Sequence, residues 1–159
     1  MAKNTKQSKI LPIFILNGPN LNLLGQREPE VYGRATLAEI EKMCAAQAAS
    51  HGLSIVFRQS NHEGEIVDAL QEARTSGCAV IINPAGYGHT SIAILDTIQA
   101  LTIPVLEVHL SNLHRREPYR HLSYVSKGAT GIIMGLGAQG YVRAVDAVAQ
   151  ILSAKGKKK

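Results

Sequence analysis

Short, nearly unbroken apolar runs alternate along this chain with stretches whose apolar positions recur every three or four residues, the respective marks of strands and helices. The first run, Ile10 to Leu16, predicts a strand, and a long loop follows it. Thr36 with Glu39 three residues later reads as a capping box opening a helix that stops near Gly52. Leu53 to Gln59 reads as the second strand. Ser60 and Glu63 repeat the capping-box spacing, predicting a helix to about Ser76 with Gly77 as its left-handed stop. Cys78 to Asn83 is the third strand, and the loop Pro84 to Gly88 leads into a helix over Ser91 to Leu101. Ile103 to His109 is the fourth strand. After another long loop, Thr130 to Met134 makes a fifth, and Ala138 to Ala154 is an amphipathic last helix.

Strands as apolar as Ala79-Val80-Ile81-Ile82 must be covered on both faces, and helical connections make neighbouring strands parallel. The expected fold is therefore α/β: a three-layer α/β/α, flavodoxin-like arrangement with a five-stranded parallel sheet in the order 2-1-3-4-5. Its ligand cleft lies at the carboxyl ends of the strands, where the order reverses between strands one and three. Within the helix over Ser91 to Leu101, Ile92 and Ile94 stand roughly 160° apart at about 100° per residue. One sheet-facing stripe cannot bury both, so a second subunit is expected to cover the remainder.

Composition narrows the picture without redirecting it. A chain of 159 residues at 45% hydrophobic and 18% charged suits a single domain, expected over 10–154. The formal charge of +5 comes from lysines in an N-terminal tail over 1–9 and a C-terminal tail over 155–159. Without those seven lysines, 10 of the 17 basic residues face 12 acidic ones, so the body is mildly acidic and no nucleic-acid surface is expected. Ile10 to Leu16 is too short for a membrane span, contains Pro12 and precedes no cleavage pattern, so neither membrane insertion nor a signal peptide is expected. Cys44 and Cys78 sit far apart within apolar segments and read as free thiols of a reducing, cytoplasmic compartment.

The carboxyl ends of the predicted strands hold most of the unusual polar residues. Strand one ends in Asn17-Gly18-Pro19-Asn20; strand three ends in Asn83, with Gly86, Gly88 and His89 beyond; strand four ends in His109-Leu110-Ser111-Asn112. Three distant segments rich in amide, imidazole and hydroxyl groups thus converge on one cleft and suit a polyhydroxylated small molecule. Taken singly, each such Asn or His also reads as a loop cap. Glu107 and His109 project to the same face of one strand, where the carboxylate can set the imidazole's tautomer. A metal pair is the rival reading, but no third ligand stands at a usual spacing. His114 and His121 flank a basic loop with Arg115, Arg116 and Arg120, one of which can fork onto a substrate carboxylate while the others are solvated. The loop Leu21 to Gly33 is long for a strand-to-helix connection and reads as a lid, with Gly25 and Gly33 as hinges. It lacks a dinucleotide fingerprint and a Walker lysine, and a flavin-type loop would need more Ser, Thr or Gly donors. Outside the tails the lysines are Lys42, inside a helix, and Lys127, at the amino edge of the sheet, so neither suits an imine.

Four motifs, in order, resemble the type II 3-dehydroquinate dehydratases: Asn-Gly-Pro-Asn-Leu-Asn-Leu-Leu-Gly-x-Arg-Glu-Pro-x-x-Tyr-Gly at 17–33, Gln-Ser-Asn-His-Glu-Gly-Glu at 59–65, Asn-Pro-Ala-Gly-Tyr-Gly-His-Thr-Ser at 83–91 and Glu-Val-His-Leu-Ser-Asn at 107–112. The resemblance implies dehydration of 3-dehydroquinate to 3-dehydroshikimate in the shikimate pathway, with no cofactor and no metal, in a dodecamer of four trimers. It further implies Tyr32 as base, Arg27 as its lid partner, and His109 with Asn20 on the acid side. Asn83, His89, Leu110, Ser111 and Arg120 correspond to substrate-binding positions, and Asp96 to a residue reaching a neighbouring subunit's site. A free phenol is protonated at neutral pH. A cation must therefore favour the Tyr32 anion, with Arg27 expected first and Arg120 second. A non-catalytic flavodoxin-like binding module, and nucleic-acid binding through the tails, are the readings from other classes.

Overall fold

The computed structural model describes residues 10–26 and 29–156. Strand β1 (Ile13–Asn17) is followed by a 3-10 turn at Leu21–Leu23, the single helical turn α1 (Pro29–Tyr32) and helix α2 (Leu37–Ser50). Then come β2 (Ile55–Gln59), α3 (Glu63–Ser76), β3 (Ala79–Asn83), a 3-10 segment at Ala85–His89, α4 (Ile92–Gln99) and β4 (Val105–His109). Two further 3-10 turns lead to α5 (Tyr124–Gly128), β5 (Gly131–Met134) and α6 (Gln139–Gly156).

The sheet is parallel with the order β2-β1-β3-β4-β5, as the apolar runs and the crossover rule predict. Alternation along each strand sends side chains to two apolar layers. Ile13, Ile15, Ile81 and Val108 pack under Ile40 and Cys44 of α2 and Val145 and Val148 of α6. Phe14, Leu16, Val80 and Ile82 pack under Ile66 and Leu70 of α3, Ile94 and Ile98 of α4, and Val125 of α5. Cys44 and Cys78 are free thiols, and burial pushes the Cys44 thiol up to about 12. In α4, Ile94 is fully buried while Ile92 stands 56% exposed, the split that the helical wheel requires. Among the described residues no helix is long and apolar enough to cross a membrane.

The strands begin one to three residues later than the apolar runs suggest, because ladder pairing rather than hydrophobicity sets their ends. Thr36 and Glu39 form the expected capping box. The second expected box does not form. His62 is the N-cap of α3 and carries no side-chain cap bond, while the Ser60 hydroxyl turns to the His62 amide (2.9 Å) and the Glu65 carboxylate. Nor is Gly77 left-handed: its φ of −121° is extended, and glycine is needed because a Cβ there would stand 2.9 Å from Phe14 Cδ2 and 3.0 Å from the Ala73 carbonyl oxygen. The last helix runs past Ala154 through Lys155 to Gly156, so part of the expected C-terminal tail is helical. The remaining tail residues, 1–9 and 157–159, lie outside the described residues.

Candidate active site

Strand register brings the polar ends together. Asn17 lies opposite Gln59 on one side and Asn83 on the other, so β2, β1 and β3 end level, and β4 ends beside them at His109. Gly18 lets the loops after β1 and β3 touch: a Cβ there would lie 2.3 Å from the Pro84 carbonyl oxygen, and the Gly18 amide donates to Asn83 O at 2.8 Å. Above these ends opens a cleft of about 170 Å³, bordered by Asn20, Tyr32, Asn83, His89, His109 and Ser111, among others.

Beneath the cleft the polar groups are tied down. The hydroxyl of Tyr141, a fully buried residue of α6, donates to Asn17 Oδ1 (2.7 Å) and accepts from Asn83 Nδ2 (2.9 Å). Asn17 Nδ2 donates to the Arg58 carbonyl and Asn83 Oδ1 accepts from the Ala85 amide, so both amides have a fixed orientation. Burial holds the Tyr141 phenol far above its ordinary range, and it stays a neutral hydrogen-bonding group.

On the β4 side, His109 Nε2 lies 2.6 Å from Glu107 Oε1, and both side chains are almost wholly buried. Ser123 Oγ donates to the same carboxylate at 2.6 Å, and Ser126 Oγ donates to its other oxygen. Burial pushes the Glu107 carboxyl up, but the hydrogen bond and charge of His109, with the two serine hydroxyls, outweigh burial and hold it below the usual carboxylate range. The carboxylate anchors one ring nitrogen; Nδ1 has no protein partner among the described residues and remains available for proton transfer.

Across the cleft, Tyr32 closes α1 with its hydroxyl accepting from Arg116 Nη1 at 2.8 Å. The guanidinium carbon lies 5.2 Å from the ring centroid, within cation–π range as well as hydrogen-bonded to the hydroxyl. Arg116 also approaches Ser111 Oγ at 3.4 Å and the Glu117 carboxylate at 3.5 Å. Its side chain is 14% exposed. The cleft is thus lined by a phenol bonded to a guanidinium and by an imidazole held by a buried carboxylate, groups capable of base and acid chemistry.

A family profile described as dehydroquinase class II matches residues 11–149. The chain belongs to the class II dehydroquinases. It is 58% identical over 144 residues to a 3-dehydroquinate dehydratase of Streptomyces coelicolor, covering 90% of this chain and 92% of the relative. It is 56% identical over 145 residues to one of Caulobacter vibrioides, covering 91% and 99%. Among solved structures, the type II dehydroquinase of Propionibacterium acnes superposes with a TM-score of 0.85 at 39% identity, over 88% of this chain and 97% of that one.

In this class II dehydroquinase, the expected residues Asn20, Tyr32, Asn83, His89, His109, Leu110, Ser111 and Arg120 all border the one cleft. His89 is held through Nδ1 by the Leu122 carbonyl at 2.7 Å, and Arg120 through Nε by the Glu117 carboxylate at 2.8 Å. Asp96 is not among them. It sits on the exposed side of α4, beside Arg74 and Thr75 of α3, away from this chain's own cleft. Arg27 lies outside the described residues. Of the two cations expected beside Tyr32, Arg27 is thus untested, and the second, Arg120, borders the cleft without bonding the hydroxyl, which accepts from Arg116 instead. Sequence reasoning had the right loop, but spacing alone does not say which of its three arginines turns inward. It also missed the Asn17–Tyr141–Asn83 chain and the two serines on Glu107. A tyrosine within an apolar helical stripe reads as core, and both serines come from a segment read as loop.

Proposed function

We propose that this chain dehydrates 3-dehydroquinate to 3-dehydroshikimate, a step of the shikimate pathway toward aromatic amino acids. It acts as a cytoplasmic hydro-lyase without metal, cofactor or Schiff base. The observation that carries the reading is the 2.8 Å bond between Arg116 and Tyr32 facing the His109–Glu107 pair across one cleft, in a chain of this family. Tyr32, as phenolate, takes the proton from the carbon beside the ketone. The electron pair left behind moves toward the ketone oxygen and forms an enolate. Arg116 presents a cation and a hydrogen-bond donor to the phenol oxygen, and exclusion of water under the lid strengthens such a pairing. His109 then delivers a proton to the departing hydroxyl as the carbon–oxygen bond breaks. Water leaves, the enone remains, and exchange with solvent restores both side chains.

Asn20 serves the acid side with His109, and Arg27 assists Tyr32 from the lid. Asn83, His89, Leu110, Ser111 and Arg120 bind substrate, the guanidinium of Arg120 pairing with its carboxylate. Asp96 reaches the cleft of a neighbouring copy in a dodecamer of four trimers, and the exposed Ile92 on the same helix face supports such a contact. Among the described residues no lysine borders the cleft, which supports chemistry without an imine.

Mixing purified protein with 3-dehydroquinate and following the rise of enone absorbance tests the assignment. Turnover is expected to survive a chelator and to survive borohydride added with substrate, while Tyr32→Phe lowers it by at least about 10²-fold. A borohydride-trapped adduct, or near-normal turnover by the Tyr32→Phe protein, overturns the mechanism.

A further inference from the structure

Asn20 is held in an unusual way. Its backbone is left-handed, with φ of +67°, a conformation few non-glycine residues adopt. It stands at the N-cap of the turn Leu21–Leu23, yet its side chain makes no cap bond there. Its backbone amide is caught instead by Asn61, whose Oδ1 accepts it at 3.0 Å from the loop after β2. The same Oδ1 accepts Gln59 Nε2 at 3.0 Å, and Gln59 Nε2 also reaches the Gly18 carbonyl at 3.2 Å. From the third side, the Tyr87 hydroxyl donates to the Asn61 carbonyl at 2.7 Å. One residue outside the cleft lining therefore joins the loops after β1, β2 and β3 at the level where they meet the cleft.

We infer that Asn61 is a positioning residue for Asn20: by catching the backbone amide it leaves the Asn20 carboxamide unspent and aimed at the substrate. The inference rests on the acid-side role proposed above for Asn20. All of Asn61's side-chain work falls to Oδ1 as acceptor, since its Nδ2 makes no bond among the described residues. A carboxylate at this position accepts the same two donors, and an aliphatic side chain of similar size accepts neither. Misplacement of a reacting group by about 1 Å costs up to about 10²-fold in rate.

The experiment compares Asn61→Leu and Asn61→Asp with the unaltered protein. Hydrogen exchange read by mass spectrometry on peptides spanning residues 18–24 reports the Asn20 amide, and initial rates per mole of folded protein report kcat and KM. Asn61→Leu is expected to expose one further fast-exchanging amide in that peptide and to lower kcat by about tenfold or more, with KM moving less than about threefold. Asn61→Asp is expected to restore the protection and to bring kcat within about twofold. Where Asn61→Leu does not fold, Asn61→Ala takes its place. Unchanged exchange or kcat in the truncated variant, or an Asp variant no better than it, overturns the inference. An unaltered protein that leaves 3-dehydroquinate untouched overturns the assigned reaction instead, and the exchange data alone then decide whether the clamp exists.

Discussion

Replacing Tyr141 by Phe removes one oxygen from a fully buried site and leaves the ring among Ile15, Ile81 and Val145 in place. Two partners are then stranded, Asn17 Oδ1 at 2.7 Å and Asn83 Nδ2 at 2.9 Å from the lost hydroxyl. A buried polar group left without a partner costs about 1–3 kcal/mol, so two cost about 2–6. Relief is available because Asn17 and Asn83 are register neighbours on adjacent strands. If they relax part-way toward one another without a full bond, the expected loss lies in the lower part of that range, about 2–4 kcal/mol. At roughly 2–4 °C per kcal/mol for a domain of this size, the melting temperature drops by about 5–15 °C. Denaturant titration measures the loss and thermal denaturation the shift in melting temperature, both at one fixed protein concentration. With the phenol's titration pushed far up by burial, the difference stays flat between about pH 6 and pH 9. Tyr119→Phe, at a residue 64% exposed, is the control and is expected within about 0.5 kcal/mol of the unaltered protein. A loss below about 0.5 kcal/mol for Tyr141→Phe refutes the reasoning, since the two amides would then have had other partners all along.

Arg116→Met is expected to lower kcat by about 10²-fold with little change in KM, whereas Arg120→Met raises KM more than it lowers kcat; steady-state rates separate the two. Glu107 has a folded-state carboxyl below its unfolded value of about 4.3, so its contribution to stability is complete above that value and is lost as pH falls through the lower one. Glu107→Gln is therefore expected to flatten the acid limb of the denaturation midpoint between about pH 5 and pH 3, and an unchanged limb refutes the assignment. Ile92→Lys, which puts a charge on the exposed face of α4 shared with Asp96, is expected to sediment as smaller species and to lose turnover with them. An unaltered sedimentation coefficient counts against that face as an interface.

Strand order was legible because few topologies satisfy five apolar strands joined by helices, and the crossover rule removes most of those. Helix starts were legible where the local chemistry is self-contained. Thr36 and Glu39 need only each other, but Ser60 and Glu63 share the same spacing and do not cap, because Glu65 and the His62 amide compete for the Ser60 hydroxyl. Gly77 shows the same limit from another side. A glycine after a helix suggests a left-handed stop, yet what excludes a side chain there is Phe14, more than sixty residues away in sequence and invisible to any local rule.

The site divides along the same line. Glu107 and His109 are two residues apart on one strand, and alternation alone puts them together. Tyr32 and Arg116 are 84 residues apart, and their contact depends on how the lid's single helical turn meets a loop of two 3-10 turns. Such turns leave no hydrophobic period to read, so the loop's composition told that arginine faces the cleft but not that Arg116 and Arg120 both border it, nor that Arg116 bonds Tyr32. Glu117 does not separate the two, since its carboxylate meets Arg120 Nε at 2.8 Å and Arg116 Nε at 3.5 Å; what distinguishes Arg116 is its Nη1, 2.8 Å from the Tyr32 oxygen. Exchanging the positions of Arg116 and Glu117 preserves the loop's composition and charge while taking the guanidinium away from the Tyr32 oxygen, so the contact depends on the order of residues within the loop and not on its content.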